Sequence, residues 1–134
     1  MAIINGYCKE KDIDFNKDLA YGKFGEELAN NIFEGNLTCE VKTERDIWET
    51  TGNITIEFKS RGKLSGIATT KSEIWIHWLS INGEIKGGFI FKVKELKLYI
   101  RQNWNTLRKV KGGDDNTSDL ILLNKKEIGS VYGL

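Results

Sequence analysis

Glu57 and Lys59 stand two residues apart in the run Thr51-Gly52-Asn53-Ile54-Thr55-Ile56-Glu57-Phe58-Lys59-Ser60-Arg61-Gly62-Lys63. A carboxylate can hold a hard cation, and an ammonium can meet an anion or steer a water. The run reads as a strand leaving a turn. Ile54, Ile56 and Phe58 alternate with Asn53, Thr55, Glu57 and Lys59, and the side chains of a strand alternate between its two faces. The apolar set can enter a core, which places Glu57 and Lys59 side by side on the polar face. Alone, such a pair is the ordinary outward face of an antiparallel strand. It becomes a site only when further acids are brought to it.

The elements around this strand decide whether they are. Asn16 or Asp18 can cap a helix whose stripe is Tyr21, Phe24, Leu28 and Ile32, ending at Gly35. Glu26 lies on that helix. Leu37 to Thr43 reads as a strand with Leu37, Cys39 and Val41 on its apolar side and Glu40 and Lys42 on the other. Cys39 is then a small buried hydrophobe. The charged turn Glu44-Arg45-Asp46 follows, and the short separation predicts an antiparallel hairpin with the central strand. Arg61 to Ile67 is a basic loop punctuated by Gly62 and Gly66. Thr70-Lys71-Ser72-Glu73 has the form of a capping box and predicts a short helix or turn. Ile74–Ser80 and 87–93 read as strands around an Asn82-Gly83 turn. His77, the only histidine, reads as a structural residue on the first of them, since a catalytic role needs a positioned partner. Lys94 to Trp104 is an amphipathic helix with Leu96, Tyr99 and Ile100 inward. Leu120–Leu123 is a short buried strand, and Asn124 can cap a last turn. This order brings Glu26, Asp46 and Glu57 within reach of one another, with Lys59 beside them.

The chain has 134 residues, 40% hydrophobic and 29% charged, enough for one domain with its own core over 1–134. Cys8 and Cys39 show no metal spacing, and a disulfide between them is not the expected state. No signal-peptide pattern and no membrane-length apolar run is seen, so the expected location is cytoplasmic. A net charge of +1 does not announce a polyanion partner. Its distribution does so weakly: eight cations lie between Lys86 and Lys111, against Glu95 alone. A solvated helix with its flanks would look the same. The tryptophans Trp48, Trp75, Trp78 and Trp104 leave a homodimer interface open, with core packing as the plainer role.

On Glu26, Asp46, Glu57 and Lys59 the chain resembles the PD-(D/E)XK nuclease superfamily, and more specifically its small phage-type members. Glu40-Val41-Lys42, Thr51-Gly52-Asn53, Ile56-Glu57, Arg61-Gly62-Lys63, Ser65-Gly66-Ile67 and Thr69-Thr70 carry the resemblance, which spans residues 20–105. It implies an α/β fold with a restriction-endonuclease-like core, a central mixed sheet of four or five strands flanked by helices. It also implies a Mg²⁺-dependent DNA endonuclease, with Mn²⁺ as a substitute and no organic cofactor. Glu26, Asp46, Glu57 and Lys59 would be catalytic. Metal ligands would be Asp46, Glu57 and the Phe58 carbonyl, with Glu26 at the edge. No proline precedes Asp46, and Glu44, two residues earlier, is the alternative ligand. Lys42, Asn53, Arg61, Lys63, Thr69 and Thr70 would face nucleic acid. The length leaves no room for a separate recognition domain, which favours structure-selective cutting of branched or junction DNA. The rival expectation is an inactive nucleic-acid-binding module of the same fold.

Overall fold

The structure, a computed structural model, describes residues 15–132. The chain divides into two compact units, residues 1–36 and 37–134. In the first, α1 (Phe15–Phe33) already runs through Asn16 and Asp18, so neither residue caps it. Tyr21 and Phe24 meet edge-to-face on this helix at 6.0 Å, as the i, i+3 spacing allows. Gly35 at φ +80° ends it, as expected. Cys8 lies outside the described residues.

The second unit runs β1 (Cys39–Arg45), α2 (Trp48–Thr51), β2 (Asn53–Ser60), β3 (Lys63–Leu64), β4 (Ile74–Ile81), β5 (Glu84–Lys92), α3 (Val93–Gln102), β6 (Arg108–Gly112) and β7 (Ser118–Asn124). The fold is mixed α/β. The strands form two sheets rather than the single mixed sheet expected. One is three-stranded, in the order β1-β4-β5, and the other four-stranded, in the order β3-β2-β7-β6. β1 pairs with β4 in parallel, whereas β2 pairs antiparallel with β3 and β7. The expected β1–β2 hairpin is therefore absent. The reason lies in the connection. Residues 46–52 form a helical turn pinned to the end of β4, where Ser80 O accepts from Asp46 N at 2.9 Å and from Trp48 Nε1 at 2.8 Å. That sends β2 to a different sheet.

Other expectations hold. Asn82 (φ +51°) and Gly83 (φ +81°) make the tight turn of the β4–β5 hairpin. Leu96 and Ile100 of α3 are buried against Ile54, Ile56, Trp75, Phe91, Ile121 and Leu123, where the apolar stripes of strands and helix converge. Asn124 Oδ1 accepts from Lys126 N at 3.0 Å, capping the last turn. The Thr70–Glu73 box does not start a helix. Glu73 Oε1 instead takes the N–H of Thr38, and Thr70 donates to Glu40 Oε1 at 3.0 Å. Half of the basic block is engaged locally. Lys86 pairs with Glu84 and Lys111 with Asp119, while Lys97 donates to Thr70 O and Lys109 to Trp104 O. Among the described residues no helix is long and apolar enough to cross a membrane.

Candidate active site

β1 is amphipathic in the sense opposite to that expected. Cys39 and Val41 are exposed, while Glu40, Lys42 and Glu44 lie on the half-buried side. The register with β4 sets this, because Glu40 pairs with Trp75 and Lys42 with His77, and paired residues share a face. Trp75 and His77 are both buried. Three charged side chains thus project toward an interior face, and polar partners hold two of them there. Glu40 takes the Thr70 hydroxyl and lies 3.4 Å from Lys42 Nζ. Glu44 bridges the two sheets. Its Oε1 accepts from Thr55 N at 2.8 Å and lies 2.7 Å from His77 Nε2. The Thr55 hydroxyl reaches both of its oxygens, at 3.0 and 2.9 Å.

Glu57 is held as firmly, in the four-stranded sheet. Ser65 Oγ donates to its Oε2 and Ser118 Oγ to its Oε1, each at 2.9 Å. Ser65 follows β3 and Ser118 opens β7, so two segments clamp the carboxylate from opposite ends. The residue after Ser65 must be glycine. Gly66 sits at φ +54°, and a Cβ there would fall 2.2 Å from the Glu57 carbonyl oxygen. Ile67 then anchors the segment in the core. The Ser65-Gly66-Ile67 motif therefore supplies a donor, a close approach and an anchor, all directed at Glu57.

Glu44 and Glu57 line one cleft of about 220 Å³, together with Lys42, Thr55, His77 and Ser118. Asp46 does not line it. With φ +43° it closes a turn, accepts from Asn82 N at 2.7 Å, and lines a separate cleft beside Arg45 and Ser80. Of the two acids left open by the sequence, the structure brings Glu44 to Glu57. Glu26 lies on α1, in the first unit.

Lys59 is displaced by a bulge. Glu57 pairs with Leu120, but Lys59 pairs with Asp119, leaving Phe58 as one extra residue in β2. An extra residue reverses the alternation beyond it. Lys59 therefore shares a face with Asp119 and, through the β3 pairing, with Leu64. That is the face of Phe58, which packs on the core and meets Trp104 edge-on at 5.1 Å. Phe58, Leu64, Ile100, Arg101 and Trp104 line a second cleft of about 560 Å³ there. The expectation that Glu57 and Lys59 stand side by side is corrected on this ground. The cation that does line the Glu57 cleft is Lys42, with Nζ 6.0 Å from the Trp75 ring centroid.

The remaining expected site residues are dispersed. Asn53 accepts from Asn124 Nδ2 at 2.8 Å and so links β2 to β7. Arg61 and Lys63 are exposed around the β2–β3 turn. Thr69 reaches Gly66 O at 3.5 Å, and Thr70 is bonded to Glu40. The Phe58 carbonyl accepts from Ser65 N at 3.0 Å. Among the described residues no group of three or more His, Cys, Asp or Glu comes together as a metal site. The donors that converge are two carboxylates, and Mg²⁺ characteristically takes one or two carboxylates and keeps its other positions for water and phosphate. Sequence reasoning missed Ser118, 61 residues from Glu57 and without a local signal. It also missed the partners that His77 finds.

No family model, curated protein or solved structure matches the chain.

Proposed function

We propose that this protein is a metal-dependent DNA endonuclease that hydrolyses phosphodiester bonds in the cleft holding Glu44 and Glu57. The observation that carries this reading is the convergence of two hydrogen-bonded carboxylates from different sheets on one small cavity, with Lys42 in its lining. A volume of about 220 Å³ suits a phosphate group with a few waters, at about 30 Å³ per water. Glu44 and Glu57 would hold Mg²⁺, or Mn²⁺ in its place. That ion would supply an acidic water and neutralise charge on the reacting phosphate. Lys42 would add a positive charge beside the phosphate, the role first assigned to Lys59. Arg61 and Lys63, exposed on the β2–β3 turn, would meet flanking phosphates. A restriction-endonuclease-like core and a preference for branched or junction DNA belong to the same proposal.

A second reading keeps DNA binding without chemistry. It is favoured by Lys59 lying off the cleft face and by every oxygen of Glu44 and Glu57 already accepting a hydrogen bond. Plasmid and four-way-junction DNA incubated with and without Mg²⁺ separate the two. Cleavage that needs Mg²⁺ and disappears in Glu57→Gln supports the nuclease. Gel-shift binding without cleavage by any preparation supports the binding module.

A further inference from the structure

We propose that His77 is a positioning residue for Glu44, locked in a single tautomer by Trp75 and deciding which carboxylate oxygen faces the cleft. Three distances and one rule of chemistry support it. Trp75 and His77 stand two apart on β4 and project to the same face, with their rings 6.4 Å apart and 13° from parallel. Trp75 Nε1 lies 3.1 Å from His77 Nδ1. An indole nitrogen is only ever a donor, so Nδ1 must present its lone pair. The ring hydrogen is then on Nε2, which points at Glu44 Oε1 from 2.7 Å. The opposite tautomer would set N–H against N–H at Trp75 and lone pair against carboxylate at Glu44. Both rings are excluded from water, with Trp75 at 0% and His77 at 1% exposure, so water offers no substitute partner and the order Trp75 to His77 to Glu44 is enforced.

The consequence appears on Glu44. Oε1 takes the Thr55 N–H and the His77 N–H, and these two donors hold it in place. Oε2 has only the Thr55 hydroxyl, which it shares with Oε1. Oε2 is therefore the oxygen with lone pairs to spare for a ligand. Without the histidine only Thr55 would hold this carboxylate on its edge strand, about a last torsion that is intrinsically broad. The histidine thus acts through Glu44 and touches no reacting atom. This inference rests on the nuclease reading of the same cleft.

Two measurements test it. The ¹⁵N NMR shifts of the His77 ring at neutral pH should show a bare Nδ1 and a protonated Nε2, and a proton on Nδ1 overturns the proposal regardless of activity. Single-turnover cleavage at saturating DNA is then compared among wild type, His77→Gln and His77→Leu. Removing an orienting group of this kind typically lowers activity about 10–100-fold, so His77→Leu should fall by that factor. His77→Gln, whose amide N–H can still reach Glu44, should recover most of the rate. A histidine that only filled space would give the reverse order, because leucine suits an apolar pocket and glutamine does not. If His77→Leu does not fold, the NMR result on the wild type decides. Wild-type cleavage in folded His77→Leu sinks the positioning role alone. A wild type inactive on every DNA with Mg²⁺ sinks the nuclease reading and this role with it.

Discussion

Substituting Gly66 by alanine should destabilise the protein far more than the same change at Gly62, although both glycines have left-handed φ angles, +54° and +79°. At Gly62 a Cβ would meet nothing within 4 Å. Only the conformational penalty applies there, about 1–2 kcal/mol for an L-residue in this region. At Gly66 the same penalty is joined by a Cβ placed 2.2 Å from the Glu57 carbonyl oxygen and 2.9 Å from its carbon. Those atoms belong to the backbone of β2, which at Glu57 is paired with Leu120 of β7 and cannot yield cheaply. Overpacking of this kind adds about 1–3 kcal/mol, so Gly66→Ala should cost about 2–5 kcal/mol in all. Relief of the overlap would push the segment of Ser65 away from Glu57, so the Ser65–Glu57 bond should be lost as well. Urea denaturation followed by far-ultraviolet circular dichroism reads the effect as a lower midpoint at unchanged slope. Equal midpoints for Gly62→Ala and Gly66→Ala would refute the close packing of this segment on β2.

Lys59→Ala should leave cleavage unchanged, whereas Lys42→Ala should lower it about a hundredfold or more, the usual effect of removing a positioned charge; single-turnover rates at saturating DNA check both, and the reverse order would contradict the displacement of Lys59 from the cleft face by the β2 bulge. Tyr99 is pushed up to about 12 by burial first and then by its hydrogen bond to Glu127. It donates that bond at 2.7 Å. Because the folded form keeps its proton longer than the unfolded chain, whose tyrosines titrate near 10, its contribution is complete below pH 10 and is lost as pH rises toward 12. Ultraviolet titration should therefore show a late-ionising tyrosine, and Tyr99→Phe should abolish that step. Chelating divalent metal should stop cleavage without unfolding the protein, since the core does not depend on the cleft; a large fall in melting temperature on adding chelator would contradict this.

Much of this fold was legible locally, because Asn82-Gly83, Gly35 and the α3 stripe of Leu96 and Ile100 are governed by near neighbours. What could not be read was long-range. The β1–β2 separation suggested a hairpin, but Trp48 and Asp46 bind Ser80 and redirect the chain. The face of β1 was assigned by hydropathy to Cys39 and Val41, yet pairing with Trp75 and His77 turned Glu40, Lys42 and Glu44 inward. Within the candidate site, Glu57 could be placed on the polar face of its strand, and it lines the cleft. Lys59 was misplaced because a single-residue bulge leaves the sequence alternation intact while reversing the face. Ser65 stood in a motif whose purpose emerged only once Gly66 was seen against the Glu57 carbonyl.

The most direct test compares Mg²⁺-dependent cleavage of a labelled four-way junction by Glu44→Gln, Asp46→Asn and Glu57→Gln at saturating DNA. Glu44 and Glu57 line one cleft while Asp46 holds the turn at Asn82. Glu44→Gln and Glu57→Gln should both lose cleavage while still binding the junction, and Asp46→Asn should cut at nearly the wild-type rate. Loss of cleavage in Asp46→Asn with full activity in Glu44→Gln would contradict the assignment of the site to the Glu44–Glu57 cleft.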